Sequence, residues 1–174
     1  MRKALVIILL SLTLGMPALT LALLPAAAEA AITPTRSERL VIAAVNHERS
    51  VRGLAKVSFH ASLTRAARSH ASELAQRGLL SHVSANGWTV GPRVRHFGYT
   101  VYGCTQWTAG ETLARATLGS VAATPQGIVM LWMTSPAHRA VLLTARLRDV
   151  GVGIVVGNDG RRYFTVDLGR RVKG

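Results

Sequence analysis

The sequence predicts an α+β fold in which an antiparallel sheet is covered by helices on both faces. Helical periodicity runs over about residues 35–78 and again over 124–143, and a β-prone stretch at 99–108 lies between these blocks. Two further strand-like runs, 150–156 and 162–168, lie near each other at the end of the chain and indicate a β-hairpin. Helices, a strand region, more helices and a terminal hairpin are typical of such a layered domain.

The first thirty residues are predicted to be an export signal. Met1-Arg-Lys3 precedes an uncharged run from Ala4 to Ala28 and then Ala28-Glu-Ala30, the order of a basic region, an apolar core and a small-residue cleavage site. The run is long enough to span a bilayer, so an uncleaved anchor is the alternative, although a glycine and a proline interrupt it. We expect trimming near Ala28 or Ala30, and mass spectrometry of the mature protein tests this.

The remainder, residues 31–174, is predicted to be a single domain, because about 144 residues suit one core better than two. Without Arg2, Lys3 and Glu29, nineteen basic and seven acidic side chains remain, a net charge of +12. For an exported protein, periplasmic or extracellular, nucleic acid is not the expected partner. The charge favours anionic envelope polymers or lipid head groups, or it serves solubility, since the arginines are scattered without a run of five.

Cys104 is the only cysteine, so stability must come from packing and not from an internal disulfide. The pattern indicates a small buried residue or an unpaired thiol.

The first helical block divides into two helices. Thr35-Arg-Ser-Glu38 has the spacing of a capping box, and the helix that it begins is expected to end by Gly53. The second helix is expected from about His60 to Arg77, closed by Gly78. His70 lies among its apolar positions, where a core histidine with one hydrogen bond is the expected structure and a ligand is the alternative.

Beyond the second helix, His82 is predicted to lie on a loop, where functional side chains are commonly found. A short helix follows at Gly91-Pro92 to Phe97. Glu111 comes directly after a glycine and the β-prone stretch, and a lone carboxylate in that setting is expected to be solvated.

A further helix begins at Thr124-Pro125, by a cap followed by proline at the first helical position. Ile128, Leu131 and Trp132 are its expected buried stripe.

That helix is predicted to stop and restart at Ser135-Pro136, because proline disfavours helical geometry at the residue before it. The Ser135 hydroxyl is expected to cap the new helix, and losing it is expected to cost about 1 kcal/mol. His138 lies on the first turn, three and four residues before Val141 and Leu142, so its imidazole is expected on the side that faces the protein.

In the terminal hairpin, Asp159-Gly160 is expected to form the tight turn. Gly151 and Gly153 weaken a strand, so a neighbouring backbone or large side chain is expected close against that face.

These stretches, in this order, resemble the CAP superfamily of cysteine-rich secretory, antigen five and pathogenesis-related proteins, and more closely its small bacterial, SCP-like extracellular members. The resemblance covers about Leu40 to Gly169. Its motifs here are Asn46-His-Glu-Arg49 with Gly53-Leu54, the alanine-rich second helix, Leu80-Ser-His82, Arg93 with Gly98-Tyr99, Gly110-Glu111, Trp132-Met-Thr-Ser-Pro-Ala-His-Arg139 and Gly151-Val-Gly153. Each is weak alone, whereas the ordered set is fairly specific.

The resemblance implies an α-β-α sandwich with a cleft in which two histidines and acidic residues face each other. On that pattern the cleft, and any catalytic, residues are His82, Glu111 and His138. The chain departs from the family in having Thr112 after Glu111 in place of asparagine, and in lacking a second cleft glutamate after Trp132. A divalent metal such as zinc, held by His82 and His138, would then keep open coordination positions, which favours weak or transient binding.

Two functions follow as hypotheses. The first is a secreted binding module whose cleft engages a lipid, glycan or envelope component. The second is a hydrolase that uses either a metal-activated water between His82 and His138 or a hydroxyl nucleophile at Ser135 or Ser81. The serine version is the poorer one, because no Gly-x-Ser-x-Gly elbow or oxyanion loop is present.

Overall fold

A computed structural model describes residues 32–100 and 104–173; the predicted export signal lies outside the described residues. The helices are α1 (Arg36–Ser50), α2 (Ala61–Arg77), α3 (Val90–His96), α4 (Pro125–Thr134) and α5 (Pro136–Leu142), with a 3-10 turn at Val121–Ala123. The strands are β1 (Ser58–Phe59), β2 (Cys104–Thr117), β3 (Asp149–Val156) and β4 (Arg161–Lys173). None of the described helices has the length and apolar character that crossing a bilayer requires.

The four strands form one sheet in the order β1-β3-β4-β2. The long strands β2, β4 and β3 pair antiparallel, as predicted, and the two-residue β1, which the sequence did not reveal, adds to β3 in parallel. Strand β2 extends to Thr117 and not to Thr108 as the β-prone stretch indicated, because its whole length pairs with β4. Because β2 is the last strand in this order, it forms an edge of the sheet, where helices from both layers contact it.

The predicted helix ends of the first block are confirmed. The Thr35 hydroxyl accepts the Glu38 amide and the Glu38 carboxylate accepts the Thr35 amide, which completes the capping box. Helix α1 ends slightly before Gly53, at Ser50. Helix α2 starts behind His60, whose ring accepts the Ser62 amide.

One face of the sheet packs on α1, α4 and α5 through an aliphatic core. Trp132 is almost fully buried there and its indole N–H donates to the Leu113 carbonyl, 3.1 Å away, which ties α4 to β2. The expected stripe of α4 needs one correction: Leu131 is 46% exposed, and Val129 takes the inward position beside Ile128. Ile128 and Trp132 are buried as predicted.

The other face packs on α2 through the two strand glycines, as predicted. A Cβ built on Gly151 would lie 2.1 Å from the Leu63 carbonyl carbon, and one on Gly153 would lie 2.3 Å from that of Ala67. Helix α2 therefore lies against β3 backbone to backbone, which only glycine permits.

The restart at Ser135-Pro136 is present, but the predicted serine cap is wrong. Ser135 has extended geometry between α4 and α5, and its side chain makes no capping hydrogen bond. Pro136 removes one of the amides that need an acceptor, and the Ser135 carbonyl accepts the Arg139 amide. The break is thus set by proline and the backbone alone.

Candidate functional site

Glu111 lies in the middle of β2 on the face that packs against α2, so its position is set by the sheet and not by a loop. Its side chain is 3% exposed, and the expectation of a solvated carboxylate is wrong. The glycine before it points to the opposite face, where a Cβ would lie 3.1 Å from Val141 of α5. The missing side chain at Gly110 allows α5 to pack closely on one face of β2, while the Glu111 side chain points to the face that packs against α2.

Both oxygens of Glu111 are occupied by cationic or polar partners. Oε1 lies 2.7 Å from Nδ1 of His82, and Oε2 accepts a hydrogen bond from the buried guanidinium of Arg93 on α3. Such a charge pair inside the protein is retained only with good hydrogen-bond geometry. Sequence reasoning named Arg93 only as part of a family motif and did not assign it to the site; that motif was the available signal, because the sequence alone does not give the burial of Arg93.

His70 of α2 is the core histidine that the sequence predicted, with two hydrogen bonds instead of one. Its Nε2 lies 2.8 Å from the Ser81 carbonyl, so Nε2 donates and Nδ1 accepts from the Ser84 hydroxyl at 3.2 Å. Arg93 also donates to that hydroxyl, at 3.0 Å. Burial first, and then the charge of Arg93, lowers the pKa of His70, so this ring is a neutral brace for the loop that carries His82.

His82 is the solvent-reached member of the site, with 59% of its side chain exposed. The hydrogen bond to Glu111 raises the pKa of His82, and burial offsets part of this. Because Nδ1 is directed to the carboxylate, Nε2 is left to face solvent or a ligand. A carboxylate behind an imidazole fixes both the ring orientation and the nitrogen that is exposed.

His138 stands on the first turn of α5, half-buried, as predicted. Burial, and then the positive charge of His82, lowers the pKa of His138. The convergence of His82 and His138 in one cleft stays a prediction. Within the described ranges His138 makes no hydrogen bond to His82 or Glu111.

Asp167 is a further buried member that sequence reasoning missed. It pairs across the ladder with Glu111 on one side and with Gly151 on the other, and it is fully buried. Neither of its oxygens receives a hydrogen bond from the described residues. Burial first, and then the negative charge of the neighbouring Glu111, raises the pKa of Asp167 well above its usual range, which favours the protonated form of this acid.

The candidate serine nucleophiles lack the contacts that activation requires. The Ser81 hydroxyl donates to the Val83 carbonyl and accepts the Val83 amide, which commits it to a local turn. Ser135 has no hydrogen bond to either cleft histidine within the part of the chain that the structure describes. A serine nucleophile needs a histidine within hydrogen-bond reach.

A metal ion would find few ligands here. Glu111 is engaged by His82 and Arg93, which leaves the outward nitrogen of His82 and the ring of His138. Residues 32–100 and 104–173 hold no group of three or more histidine, cysteine or acidic side chains placed to bind one ion. The pair fits an ion only with solvent completing its coordination.

The chain matches a known protein family. The profile of the family described as CAP, the cysteine-rich secretory protein family, matches residues 42–168. The protein YkwD of Bacillus subtilis is 28% identical over 138 residues, which are 75% of this chain and 50% of that protein. The chain therefore spans about half the length of this curated relative.

Solved structures share the fold. An outer surface protein of Borrelia burgdorferi superposes with a TM-score of 0.67 at 19% identity, covering 81% of this chain and 97% of that one. An extracellular SCP-domain protein of Bacillus anthracis gives a TM-score of 0.60 at 23% identity, covering 77% of this chain and 40% of that one. The predicted α-β-α sandwich is thereby confirmed.

Proposed function

We propose a function from one premise, which is that the chain belongs to the cysteine-rich secretory protein (CAP) family. The protein is an exported binding module, periplasmic or extracellular, whose cleft of His82, Glu111 and His138 engages a lipid, a glycan or another cell-envelope component. This cleft is named below the histidine cleft.

The burial of Glu111 and its engagement by two partners carry this proposal. A general base must have a lone pair directed at the substrate, yet both Glu111 oxygens contact His82 and Arg93. What the cleft offers outward is the free Nε2 of His82 and the ring of His138. These groups are hydrogen-bond donors and acceptors that suit recognition.

The charge supports a ligand with anionic or polar oxygens. The pKa of His82 is raised, so this ring carries a positive charge to higher pH than a free histidine, whereas the lowered pKa of His138 keeps that ring neutral. The net charge of +12 after the predicted signal attracts anionic partners at long range.

The alternative is a divalent-metal-dependent hydrolase that uses the same three residues. The observation that favours it is that Nε2 of His82 and the ring of His138 have no hydrogen-bond partner among the described residues, because neutral imidazole nitrogens are common metal ligands. An ion such as zinc would be held by the two imidazoles and would activate a water. The engagement of Glu111 by Arg93 weighs against this alternative, since it leaves no free carboxylate beside that water.

Binding to vesicles of extracted envelope lipids and to soluble cell-wall glycan fragments tests the proposal, with the purified, untagged protein. We expect His82→Gln and His138→Gln each to weaken binding at least about tenfold, because each variant loses one charge-assisted or buried hydrogen bond to the ligand. His96→Gln, which changes an exposed histidine packed on Trp88, is the matched control and should bind as the parent does.

Two results contradict the proposal. One is unchanged binding of both probes in the two cleft variants. The other is a stoichiometric divalent ion in protein purified without added metal, together with ester or peptide hydrolysis that both cleft variants abolish; this would favour the hydrolase.

A further inference from the structure

A second concavity lies at the far end of the β2–β4 ladder, on the face that packs against α5. It has a volume of about 270 Å³ and is named here the arginine pocket. Its lining residues are Gln106, Trp107, Thr108, Arg146, Arg170 and Val172. The set contains two cations, two polar side chains and no acid.

The two arginines of this pocket are uncommitted. The side chains of Arg146 and Arg170 are exposed, and neither guanidinium group forms a hydrogen bond or ion pair with any residue that the structure describes. Other arginines are engaged, as Arg68 is by Glu38. The acid closest along β3, Asp149, accepts from the Tyr99 hydroxyl at 2.7 Å and from Arg171 at 3.3 Å, so it does not neutralise the pocket.

The backbone that carries the two guanidinium groups is held firmly. Arg170 pairs with Thr108 across the β2–β4 ladder, which fixes these side chains on one face. Arg146 lies in the loop after α5, and the carbonyls of Leu142, Thr144 and Leu147 in and before that loop accept hydrogen bonds from Arg49 at 2.7 to 3.2 Å.

Arg49 itself is 0% exposed and has only carbonyl partners within the described ranges, so it adds an uncompensated positive charge behind the loop. A fixed backbone beneath the two arginines lowers the cost of ordering the site when a ligand binds, and the guanidinium groups themselves are left available to it.

We propose that the arginine pocket binds a phosphate group, presented either by a small soluble phosphate or by a lipid head group. Guanidinium groups match phosphate oxygens with paired N–H donors, and two of them balance the dianion of a phosphate monoester and more than balance the single charge of a phosphodiester head group. Thr108 and Gln106 supply neutral donors for the remaining oxygens. The volume suits a head group and not a polymer segment.

The pocket is separate from the histidine cleft. Thr108 and Glu111 are three residues apart on β2, so their side chains point to opposite faces of the sheet. Failure of one site therefore leaves the other untouched, and the two proposals are tested by different variants.

The first arm of the test titrates inorganic phosphate and glycerol phosphate into the purified protein by calorimetry at fixed ionic strength. The second arm measures binding to vesicles of phosphatidylglycerol against vesicles of phosphatidylcholine. We expect Arg146→Gln with Arg170→Gln to weaken phosphate binding at least about tenfold. Arg36→Gln with Lys56→Gln removes two exposed charges elsewhere and should change binding less than about twofold after the salt effect is subtracted.

Arg146→Lys with Arg170→Lys keeps the charge and removes the paired N–H geometry, so its affinity should fall toward that of the glutamine variant. Binding in both arms assigns phosphate itself as the ligand, and binding to phosphatidylglycerol vesicles alone assigns the lipid head group. Equal losses in the pocket and control variants, full affinity in the lysine variant, or no binding in either arm would overturn the proposal. Unchanged thermal unfolding of each variant confirms that the fold is intact.

Discussion

Along β4, Phe164, Val166 and Leu168 pack into the aliphatic core with α1, α4 and α5, while the alternate residues Thr165 and Asp167 face α2. Both faces are buried along this stretch of β4, where the first presents apolar side chains and the second carries the buried acids Glu111 and Asp167 side by side. The aliphatic face is held by area removed from water and has no dependence on pH. The polar face is held by a few hydrogen bonds between ionisable side chains, so its stability depends on their protonation states.

The largest effect should come from removing the acid of the polar face. Glu111→Ala leaves the buried Arg93 guanidinium without its carboxylate, and we expect the free energy of unfolding to fall by about 3–5 kcal/mol. Urea unfolding measures this.

The matched control is Glu48→Ala, which breaks a surface pair with Arg52 and should cost below about 1 kcal/mol. Equal stability of the two variants would show that the buried pair does not hold the polar face together.

Gly151→Ala tests how closely α2 lies against the same face. The added Cβ would lie 2.1 Å from the Leu63 carbonyl carbon, and displacing a helix backbone should cost about 3 kcal/mol. Gly91→Ala in α3, where the nearest atom is a Trp107 ring carbon at 3.4 Å, is the control and should be neutral or stabilising. Thermal unfolding of the two variants compares them, and a tolerated Gly151→Ala would mean that the layers can slide apart.

Substitutions at two neighbouring positions of β4 should differ in how their effect on stability depends on pH. Val166→Ala removes buried methyl groups and should cost about 2 kcal/mol at every pH. The raised pKa of Asp167 means that unfolding releases a proton above the unfolded value of about 3.9, so Asp167 lowers stability as pH rises.

Asp167→Asn should therefore be more stable than the parent at pH 7, with the difference shrinking toward pH 4. Urea midpoints across this range decide it. A pH-independent loss in Asp167→Asn would show that the carboxyl is ionised and paired.

A smaller effect is expected at His82. Its folded pKa is raised, so its bond to Glu111 contributes stability fully below pH of about 6.5 and loses this contribution as pH rises through the folded pKa. Because the ring is more than half exposed, the contribution should stay below about 1 kcal/mol. His82→Gln should abolish this part of the profile, and an NMR titration of the imidazole gives the pKa directly; a value at or below 6.5 would refute the assignment.

The smallest effect should be that of Ser135→Ala. Its hydroxyl caps nothing, so the change in unfolding free energy should stay within about 0.5 kcal/mol. A loss near 1 kcal/mol in a urea titration would restore the capping role that the sequence suggested.

The features that the sequence predicted well are those encoded locally. The capping box at Thr35, the stop at Gly78 and the hairpin turn depend on residues within one turn of each other. Gly151 and Gly153 also indicated a close contact, although not with which helix. His82 and His138 were assigned to one cleft through family resemblance, and that assignment stays a prediction.

The polar network could not be predicted because it depends on strand register. Glu111 is buried only because β2 pairs along its whole length with β4, which places Asp167 beside it. A one-residue slip would turn either side chain to the opposite face. Local sequence contains no record of that pairing, so Glu111 taken alone was expected to be solvated and Arg93 was not assigned to the site.

The Arg49 guanidinium also constrains the order in which the chain folds. Its acceptors at Leu142 and Leu147 lie 93 and 98 residues further along the chain. Helix α1 can begin from its own capping box, but contacts of such separation form slowly and late. A polypeptide that ends before Leu142 would hold a cation in its interior without most of its acceptors, which is costly. The last quarter of the chain therefore fixes the first helix in its final place.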